Sequence, residues 1–433
     1  MLVLLALVLL LLPAGLETDG TIQGALRMHI RYSLGFSTFL LAAMTIWVSC
    51  ASIAGDISSK RLQMVLTKPV HRTEIWWGKW LAVVTLVSCL ALICGAVTYL
   101  RIQTMIQTSD LSAEARQVVF SQQVTSRRPV DPVTVDLTPE AEELARQQIL
   151  NGAIPENVPM EVVIPEMERF LKVTNNAASA GESVSWTFEL DAPLQEGETF
   201  QLAYDYDGAA MGVTLVPGAW RIDVDGKEGV RIFETNETPY GEKVIPVEVG
   251  TALAGAQYLT LTYENRSESS GRVFFKPHQG VRLYFTTGGF LLNLVRALIL
   301  ICGLLSLLAA IGVSAGSIFS LPVACYVSAV VLLLQAFSGT VEEAVEQGIP
   351  PRQEEQGAFS RAIQQVQFKV FEGILVVIQP LQMENPLGRV SRGIEIPPSE
   401  VFRIFLLRFT PVVLLISGLG TLAFHRREIG EAT

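Results

Sequence analysis

The sequence FLLNLVRALILICGLLSLLAAIGVS, which covers Phe290–Ser314, decides the class of the fold. It carries a single charged side chain, Arg296, within a run longer than the roughly 18 apolar residues that a transmembrane helix needs. The whole chain of 433 residues shares this bias, since 50% of it is hydrophobic and only 17% is charged. Soluble domains are about 25% charged, so the composition argues for a membrane protein and against an ordinary soluble enzyme.

Five other stretches are of the same kind: Met1–Leu16, Leu34–Ala54, Trp80–Leu100, Ile318–Phe337 and Val401–Phe424. The last four are long enough as helices to cross a hydrocarbon core of about 30 Å. Met1–Leu16 is shorter, but it lacks the charged leader and the small-residue cleavage site of a signal peptide. We therefore predict an α-helical integral membrane domain of six transmembrane helices.

The charges between the spans predict their orientation. Residues 55–79 carry five Lys and Arg against two Asp and Glu, and the tail after span six contains His425-Arg426-Arg427. Lys and Arg near span ends stay on the cytoplasmic side, so this loop and both termini are predicted to be cytoplasmic, in an inner or plasma membrane. Segments 101–288 and 339–400 are then extracytoplasmic.

These assignments divide the chain into residues 1–100 with helices one to three, 101–288, 289–338 with helices four and five, 339–400, and 401–433 with helix six and the tail. Segment 101–288 carries 15 basic and 27 acidic residues, which disfavours nucleic acid as a partner. Membrane lipid is the expected surrounding of the spans. In segment 339–400 apolar residues recur every three or four positions over Phe359–Val377, which predicts an amphipathic helix.

Segment 101–288 is predicted to be an inserted, mainly β domain of antiparallel, sandwich-like form. Two helical pieces come first, at Ser112–Thr125 and from Thr138, which is expected to cap a helix with Pro139 in its first turn. Seven alternating runs predict strands at Ser183–Leu190, Phe200–Tyr206, Trp220–Val224, Val230–Glu234, Lys243–Val249, Gln257–Tyr263 and Val281–Thr286.

Metal and catalytic sites find little support in the sequence. Asp207-Gly208 and Asp225-Gly226 predict hairpin turns. With Asp205 and Asp223 these acids could supply oxygen ligands for Ca²⁺, but no complete calcium loop is present, so solvated turn acids are the simpler interpretation. The four histidines are scattered, and no nucleophile–His–acid set is recognisable, so no metal site and no catalytic residue is predicted. The five cysteines all fall within spans, so they predict no disulfide framework outside the membrane.

The loop between spans two and three has its own structure. Apolar residues at helical spacing predict a short helix over Ile57–Thr67, and Pro69 must end it. A second helix is expected after Arg72, capped by Thr73, and three tryptophans would then meet the membrane interface. The result is a basic ledge under the bilayer. A loop that only fixes topology is the simpler alternative.

This region resembles the coupling region of ABC-2-type transporter permeases. The resemblance lies in Thr67-Lys68-Pro69-Val70-His71-Arg72, in Gly78-Lys79, and in Asp19-Gly20-Thr21 and Tyr32-Ser33-Leu34-Gly35 before and at the second span. The tail Phe424-His425-Arg426-Arg427-Glu428 is similar to the arginine-rich carboxyl end of that family. The resemblance implies that the loop contacts an ATPase. It assigns this coupling role to Asp56, Lys60, Arg61, Lys68, Pro69, Arg72, Glu74 and Lys79.

The chain has no phosphate-binding loop, because Gly78-Lys79 stands alone and precedes Trp80. The family resemblance therefore implies a separate ABC ATPase subunit that holds ATP and Mg²⁺, and a homodimer or a sibling permease to complete the pathway. No cofactor and no enzymatic activity are expected in this chain. The expected function is transport of an unidentified substrate, with export as the family's usual direction. The alternative is a non-transporting, membrane-anchored protein whose outer β domain binds an envelope partner.

Polar side chains inside spans are costly in lipid and are functional candidates by default. Asn293 and Arg296 in span four and Arg408 in span six are predicted to line an outward path for an anionic or polar substrate. The simpler alternative is that the arginines reach toward the outer headgroups.

Overall fold

A computed structural model describes residues 22–67, 69–108, 125–155, 158–208, 215–224, 227–237, 242–267, 271–276, 280–346 and 386–426. The chain forms two compact units. A β-rich unit spans Arg127–Thr287, and a helical unit comprises the residues before and after it. The sequence placed the start of the inserted domain at residue 101, whereas the helix of span three continues to Thr108.

The helical unit contains helices at both ends of the chain. Its described helices are α1 (Ile22–Ser58), α2 (Arg61–Leu66), α3 (Arg72–Thr108), α6 (Phe290–Ile318), α7 (Leu321–Glu346), α8 (Pro386–Ser391), α9 (Pro398–Ile404) and α10 (Thr410–Arg426). A π-helical segment, Phe405–Phe409, joins α9 to α10.

Among the described residues, four helical stretches are long and apolar enough to cross a membrane: Gly24–Ser58, Arg72–Gln107, Phe290–Ile318 and Pro398–Arg426. Each contains one predicted span, which confirms the prediction of membrane-type helices. The predicted span Ile318–Phe337 corresponds to the shorter apolar stretch Leu321–Leu333 of α7. Met1–Leu16 and Phe359–Val377 lie outside the described residues.

Span five starts later than predicted. Ile318 is the last residue of α6, and Phe319 is extended, with φ −107° and ψ 168°. Ser320 then accepts the first helical hydrogen bond of α7, from Ala324 N at 2.9 Å. Pro322 fits the first turn of α7 because a helix leaves the N–H groups there unpaired in any case.

The helices pack closely through small residues, as membrane helices commonly do. A Cβ added to Gly316 in α6 would lie 2.6 Å from the carbonyl oxygen of Cys50 in α1. A Cβ on Gly312 would lie 1.8 Å from Ser49 Oγ. Neither space admits a side chain, so α1 and α6 are in backbone contact over this stretch.

The predicted continuous helix Ile57–Thr67 is wrong. The chain turns at Ser59 and Lys60 instead, where Lys60 adopts a left-handed φ of 56°. The hydroxyls of Ser58 and Ser59 both donate to Gly55 O, at 3.0 and 2.7 Å. Serine side chains that bond nearby carbonyls compete with the helical ladder, which explains the break.

One further helix detail differs from expectation: Thr73 lies inside α3, which begins at Arg72, and therefore is not its cap. In span six a π-helical turn precedes Pro411, and Thr410 Oγ1 donates to Phe405 O at 2.8 Å. Proline removes one backbone donor, and a π turn is a common way to re-route the ladder around it.

The β-rich unit contains two described helices, α4 (Thr138–Leu150) and α5 (Met160–Thr174). Its strands are β1 (Thr125–Val130), β2 (Ala177–Ala178), β3 (Ser183–Glu189), β4 (Thr199–Tyr204), β5 (Tyr206–Gly208), β6 (Val216–Val224), β7 (Lys227–Glu237), β8 (Lys243–Glu248), β9 (Tyr258–Asn265), β10 (Val273–Phe275) and β11 (Val281–Gly289).

The strands form separate sheets. Two are four-stranded, ordered β1-β11-β4-β8 and β3-β9-β6-β7, and a third is three-stranded, ordered β2-β10-β5. The pairs β3–β9, β6–β9, β6–β7, β4–β8 and β4–β11 are antiparallel, as predicted. One hydrophobic core draws on both four-stranded sheets, with Trp220, Phe200 and Phe188 fully buried.

Three local predictions in this unit need correction, and one helix was missed. Asp207-Gly208 is no hairpin turn, because both residues pair with β10. Thr138 is inside α4, whose N-cap is Leu137, and the Thr138 N–H donates to Asp136 Oδ1 at 3.0 Å. Hydrogen bonds from the hydroxyl and the N–H of Thr138 lower the pKa of Asp136. Thr125 begins β1 rather than ending a helix, and residues 112–124 lie outside the described part. The sequence also missed α5, whose internal Pro165 argues against a helix.

Candidate functional site

The basic loop lies at the end of the helical unit where α1, α6 and α10 finish and α3 begins. Contacts between these ends show this: Trp80 Nε1 in α3 donates to Ser306 O in α6 at 2.9 Å, and Ser317 Oγ in α6 donates to Gly420 O in α10 at 3.4 Å. We call this region the basic end and define it as residues 55–79 with the carboxyl ends of α6 and α10.

An ion pair links the two helices that flank the loop of the basic end. Lys79 Nζ in α3 donates to Asp56 Oδ2 in α1 at 2.5 Å, with about a third of each side chain exposed. The sequence named both residues as coupling residues but could not show that they pair. The pair links the two helices that enter and leave the loop.

Arg72 anchors the loop to the last helix. Its Nη1 donates to Phe424 O at 2.6 Å and to His425 O at 3.0 Å, and its guanidinium lies 5.6 Å from the centre of the Phe424 ring. The final carbonyls of a helix lack intrahelical partners and carry the negative end of the helix dipole, so an arginine is well suited to cap them. Arg72 therefore positions the tail. Nothing in the sequence pattern identified Phe424 as its partner.

The three tryptophans form a packed cluster. Trp76 is fully buried, so its ring packs inside the helical unit, and the place of the three tryptophans at the membrane interface stays a prediction. It stacks on Trp80 at a centroid distance of 6.4 Å, and Trp77 meets Trp80 edge-on at 5.1 Å. A Cβ on Gly420 would lie 3.0 Å from Trp76 Nε1, which shows how closely α3 and α10 approach here. The cluster gives the loop stiff aromatic contacts to both α6 and α10.

The remaining predicted coupling residues face outward. Lys60, Arg61, Pro69 and Glu74 are exposed, and Lys68 lies outside the described residues. Two of the four are cations: Lys60 is on the turn between α1 and α2, and Arg61 is the first residue of α2. The basic end thus combines an exposed cationic turn with a buried attachment to the helix bundle.

The predicted path residues Asn293 and Arg296 lie near the opposite end, at the start of α6. Asn293 is 1% exposed; its Nδ2 donates to Ile394 O at 2.7 Å and its Oδ1 accepts from Ile396 N at 2.8 Å. Arg296 Nη1 donates to Glu395 Oε1 and to Ile396 O, both at 3.0 Å. The structure thus brings these two residues together around one short segment that the sequence analysis did not single out.

Arg408 does not join Asn293 and Arg296 in those contacts. It lies in the π-helical segment Phe405–Phe409, with an exposed side chain. The assignment of all three residues to a substrate path stays a prediction.

The acids considered for calcium are engaged in ion pairs. Asp205 Oδ2 accepts from Lys276 Nζ at 2.7 Å, a hydrogen bond that raises the pKa of Lys276. Asp223 pairs with Arg221 at 3.2 Å, and Asp225 lies outside the described residues. Among the described residues no group of three His, Cys, Asp or Glu side chains could hold a metal ion.

The β-rich unit has a surface pocket of about 570 Å³. It is lined by the loop Leu190–Glu198, by Arg128 and Val130 of β1, and by the end of β11. Arg128 and Asp191 form an ion pair across it. The lining offers charged groups for binding, without the arrangement of a nucleophile and a base that catalysis needs.

Comparison with known proteins adds little. No protein-family model and no curated protein match the chain. Among solved structures, a carbohydrate-binding module in complex with beta-1,4-galactotriose matches at 16% identity with a TM-score of 0.13. The match covers 25% of this chain and 64% of that one, so the chain spans less than two thirds of the matched structure. A likeness this weak carries no argument about fold or function.

Proposed function

We propose that the chain is the permease subunit of an ABC-2-type ATP-binding cassette transporter, which moves an unidentified substrate across the cytoplasmic membrane, by export, with a separate ATPase subunit. The observation that carries the proposal is the basic end, where an exposed cationic turn is fastened to membrane-type helices. A loop that only set the topology would need its basic residues, but it would not need the hydrogen bonds and the ion pair that attach it to the helices.

In this proposal the chain crosses the membrane six times. Four stretches of the described chain suit a span, α7 supplies the apolar stretch Leu321–Leu333, and Met1–Leu16 supplies the first. The basic end faces the cytoplasm together with both termini. The β-rich unit and residues 339–400 then face outward.

The ATPase, with its ATP and Mg²⁺, belongs to a partner because this chain has no phosphate-binding loop. A second copy or a sibling permease completes the pathway. Lys60 and Arg61 are the groups best placed to meet acidic side chains of the ATPase, since both are exposed, Lys60 on the turn and Arg61 at the start of α2.

Coupling follows from the contacts inside the basic end. A displacement of the turn is transmitted to α1 and α3 by the Asp56–Lys79 pair, and to the last turn of α10 by Arg72. Trp80 carries it to α6 by its bond to Ser306 O. Packed elements joined in this way move as rigid bodies, which is how small displacements at one site become helix shifts.

The test is purification of the tagged full chain from its membrane in mild detergent, with mass spectrometry of what accompanies it. We expect an ABC ATPase with the wild type, and its loss from the double variant Lys60→Glu, Arg61→Glu. Lys243→Glu on β8 is the matched control and should keep the ATPase. Arg72→Ala, or loss of Pro69, should keep the ATPase bound but uncouple its ATP turnover from transport.

The alternative, a membrane-anchored binding protein, draws on the separate compactness of the β-rich unit. It predicts that an envelope protein accompanies the chain in place of an ATPase, and that the charge reversals at residues 60 and 61 change nothing. Either result would contradict the transporter proposal.

A further inference from the structure

Residues 386–397 form a short, compact segment against the start of α6. They comprise α8 and a turn at Gly393, whose φ of 69° suits glycine. Val390, Ile394 and Ile396 are buried, and Val390 and Ile396 are fully so. Pro397 and Pro398 follow at once and start α9. The segment therefore packs as a plug, a name we keep for residues 386–397, with a glycine turn within it and prolines at its end.

The contacts that fasten the plug to α6 are polar and come from two side chains. Asn293 donates to the carbonyl of Ile394 and accepts from the N–H of Ile396, so it contacts the backbone on each side of Glu395. Arg296 bonds the Glu395 carboxylate, and the two side chains are 19% and 16% exposed. Asn293 and Arg296 thus hold three consecutive residues of the plug, Ile394–Ile396, through four hydrogen bonds.

The plug is braced internally as well. Arg389 donates to both carboxylate oxygens of Glu400, at 2.8 and 3.0 Å, and its Nη2 donates to Glu395 O at 2.6 Å. Paired bonds of this kind are geometrically specific and strong for a hydrogen bond. The segment that Asn293 and Arg296 hold is therefore stiff enough to move as one piece.

A polar seam between α1 and α3 lies at the same level of the helical unit. Ser33 and Thr98 hydrogen-bond across it at 3.2 Å, and both are 1% exposed. Gly95, one turn from Thr98, abuts Leu298 of α6, just past Arg296. One turn before Ser33 in α1 stands His29, 2% exposed, whose two ring nitrogens make no hydrogen bond within the described chain.

An imidazole that is buried without hydrogen-bond partners destabilises the folded state unless another interaction offsets its burial. Arg101 lies close enough for its charge to act on the ring. An ionisable group inside a membrane helix is costly, and it is a functional candidate by default. The seam His29–Ser33–Thr98 is therefore the interior feature that an outward opening would expose.

We propose that the plug closes the outer mouth of the transport pathway, with Asn293 and Arg296 as its latch, and that its release exposes His29 and the polar seam to the outside. This inference rests on the proposed permease function, which supplies the pathway and its orientation. Asn293 and Arg296 are positioning residues in the closed state. Once released from Glu395, Arg296 is free to meet an anionic group on the substrate.

The experiment places a thiol at the outer end of the seam, nearest to the start of α1, as His29→Cys, in the full chain in right-side-out membrane vesicles. A membrane-impermeant maleimide added outside should label it slowly, and the chain without this substitution reports the background from its own cysteines. Adding Glu395→Gln should raise the labelling rate about tenfold, because one charged hydrogen bond is lost. Adding Asn293→Ala should raise it about thirtyfold or more, because two buried hydrogen bonds are lost.

Two controls separate release of the latch from general loosening. Glu142→Gln removes an ion pair with Arg146 in the β-rich unit, and Ser417→Ala removes a buried hydroxyl bonded within α10. Neither should change the rate. Unchanged labelling in both latch variants, or an equal rise in either control, would overturn the plug. Glu395→Gln is isosteric and only partly buried, so the test survives even if Asn293→Ala fails to fold.

The same labelling separates this inference from the proposed function, because it needs no ATPase. Faster labelling from outside in latch variants of a chain that purifies without an ATPase keeps the plug and contradicts the transporter. Unchanged labelling in a chain that purifies with its ATPase contradicts the plug alone. Labelling from the cytoplasmic side only, in inverted vesicles, overturns the outward placement of the plug.

Discussion

The two ends of the helical unit both gather basic side chains, but they use them differently. At the latch end, where α6 begins and contacts the plug, Arg296 is bound to the carboxylate of Glu395, and Arg389 is bound to Glu395 O and to the carboxylate of Glu400 in α9. At the basic end, Arg72 and Lys79 are similarly bound, whereas Lys60 and Arg61 stay exposed. Cations that are bound internally hold structure, and cations left exposed are available to a partner. The comparison teaches that charge counts alone do not distinguish the two roles.

The largest effect is expected at the latch end, from Asn293→Leu. The change keeps the side-chain shape but leaves Ile394 O and Ile396 N without their partner, each at a cost of about 1–3 kcal/mol when buried. Opening of residues 386–397 should become easier by about 2–4 kcal/mol, measured as faster hydrogen exchange at the Ile396 amide. Ser306→Ala, whose hydroxyl bonds only Gly303 O of its own helix, is the control. Unaltered exchange at Ile396 would mean that Asn293 does not hold the plug.

Next in size is Arg72→Ala at the basic end. Two hydrogen bonds from a charged donor and a cation–π contact are lost, so the last turn of α10 should fray more easily by about 1.5–3 kcal/mol. Amide exchange over residues 422–426 and proteolytic cleavage near Arg426 both report this. Arg72→Lys keeps the charge but not the two-pronged geometry and should fall between. If the alanine variant left the tail as protected as in the wild type, Arg72 would not anchor it.

A smaller effect on stability is expected from removing the ion pair at each end of the helical unit. The Arg296–Glu395 pair is less exposed, at 19% and 16%, than the Lys79–Asp56 pair, at 34% and 28%. Since solvent screens exposed pairs, Glu395→Gln should cost about 1–2 kcal/mol and Asp56→Asn less than about 1 kcal/mol. The temperature at which half of the folded protein is lost in detergent measures both. A larger loss for Asp56→Asn would reverse the ranking of the two ends.

The sequence predicted the parts of this comparison that depend on local chemistry. Long apolar runs located four helical stretches because a membrane span needs a fixed length, and alternation located seven strands because side chains alternate across a sheet. Asn293 and Arg296 were noticed because polar groups are out of place in lipid. The basic loop was noticed because Lys and Arg near the ends of membrane spans stay on the cytoplasmic side of the membrane.

The partners of these residues could not be predicted in the same way. Glu395 is 99 residues from Arg296, and Phe424 is 352 residues from Arg72. No spacing rule connects such positions, since the contacts form only when the helices pack. Lys60 shows the local limit: a helix-period pattern ran through it, and two serine hydroxyls bonded to Gly55 O ended the helix instead.

The smallest expected effect is at Lys60, and it is stabilising. Its φ of 56° is strained for any residue with a Cβ but not for glycine. Lys60→Gly should therefore raise the free energy of unfolding by about 0.5–1 kcal/mol, whereas Lys60→Ala should not. Thermal denaturation in detergent compares the two variants. Both remove the charge, so under the proposed function both should weaken ATPase binding while differing in stability. Loss of binding in the alanine variant alone would trace the effect to the turn geometry, and retention in both would leave Arg61 as the residue that binds the ATPase.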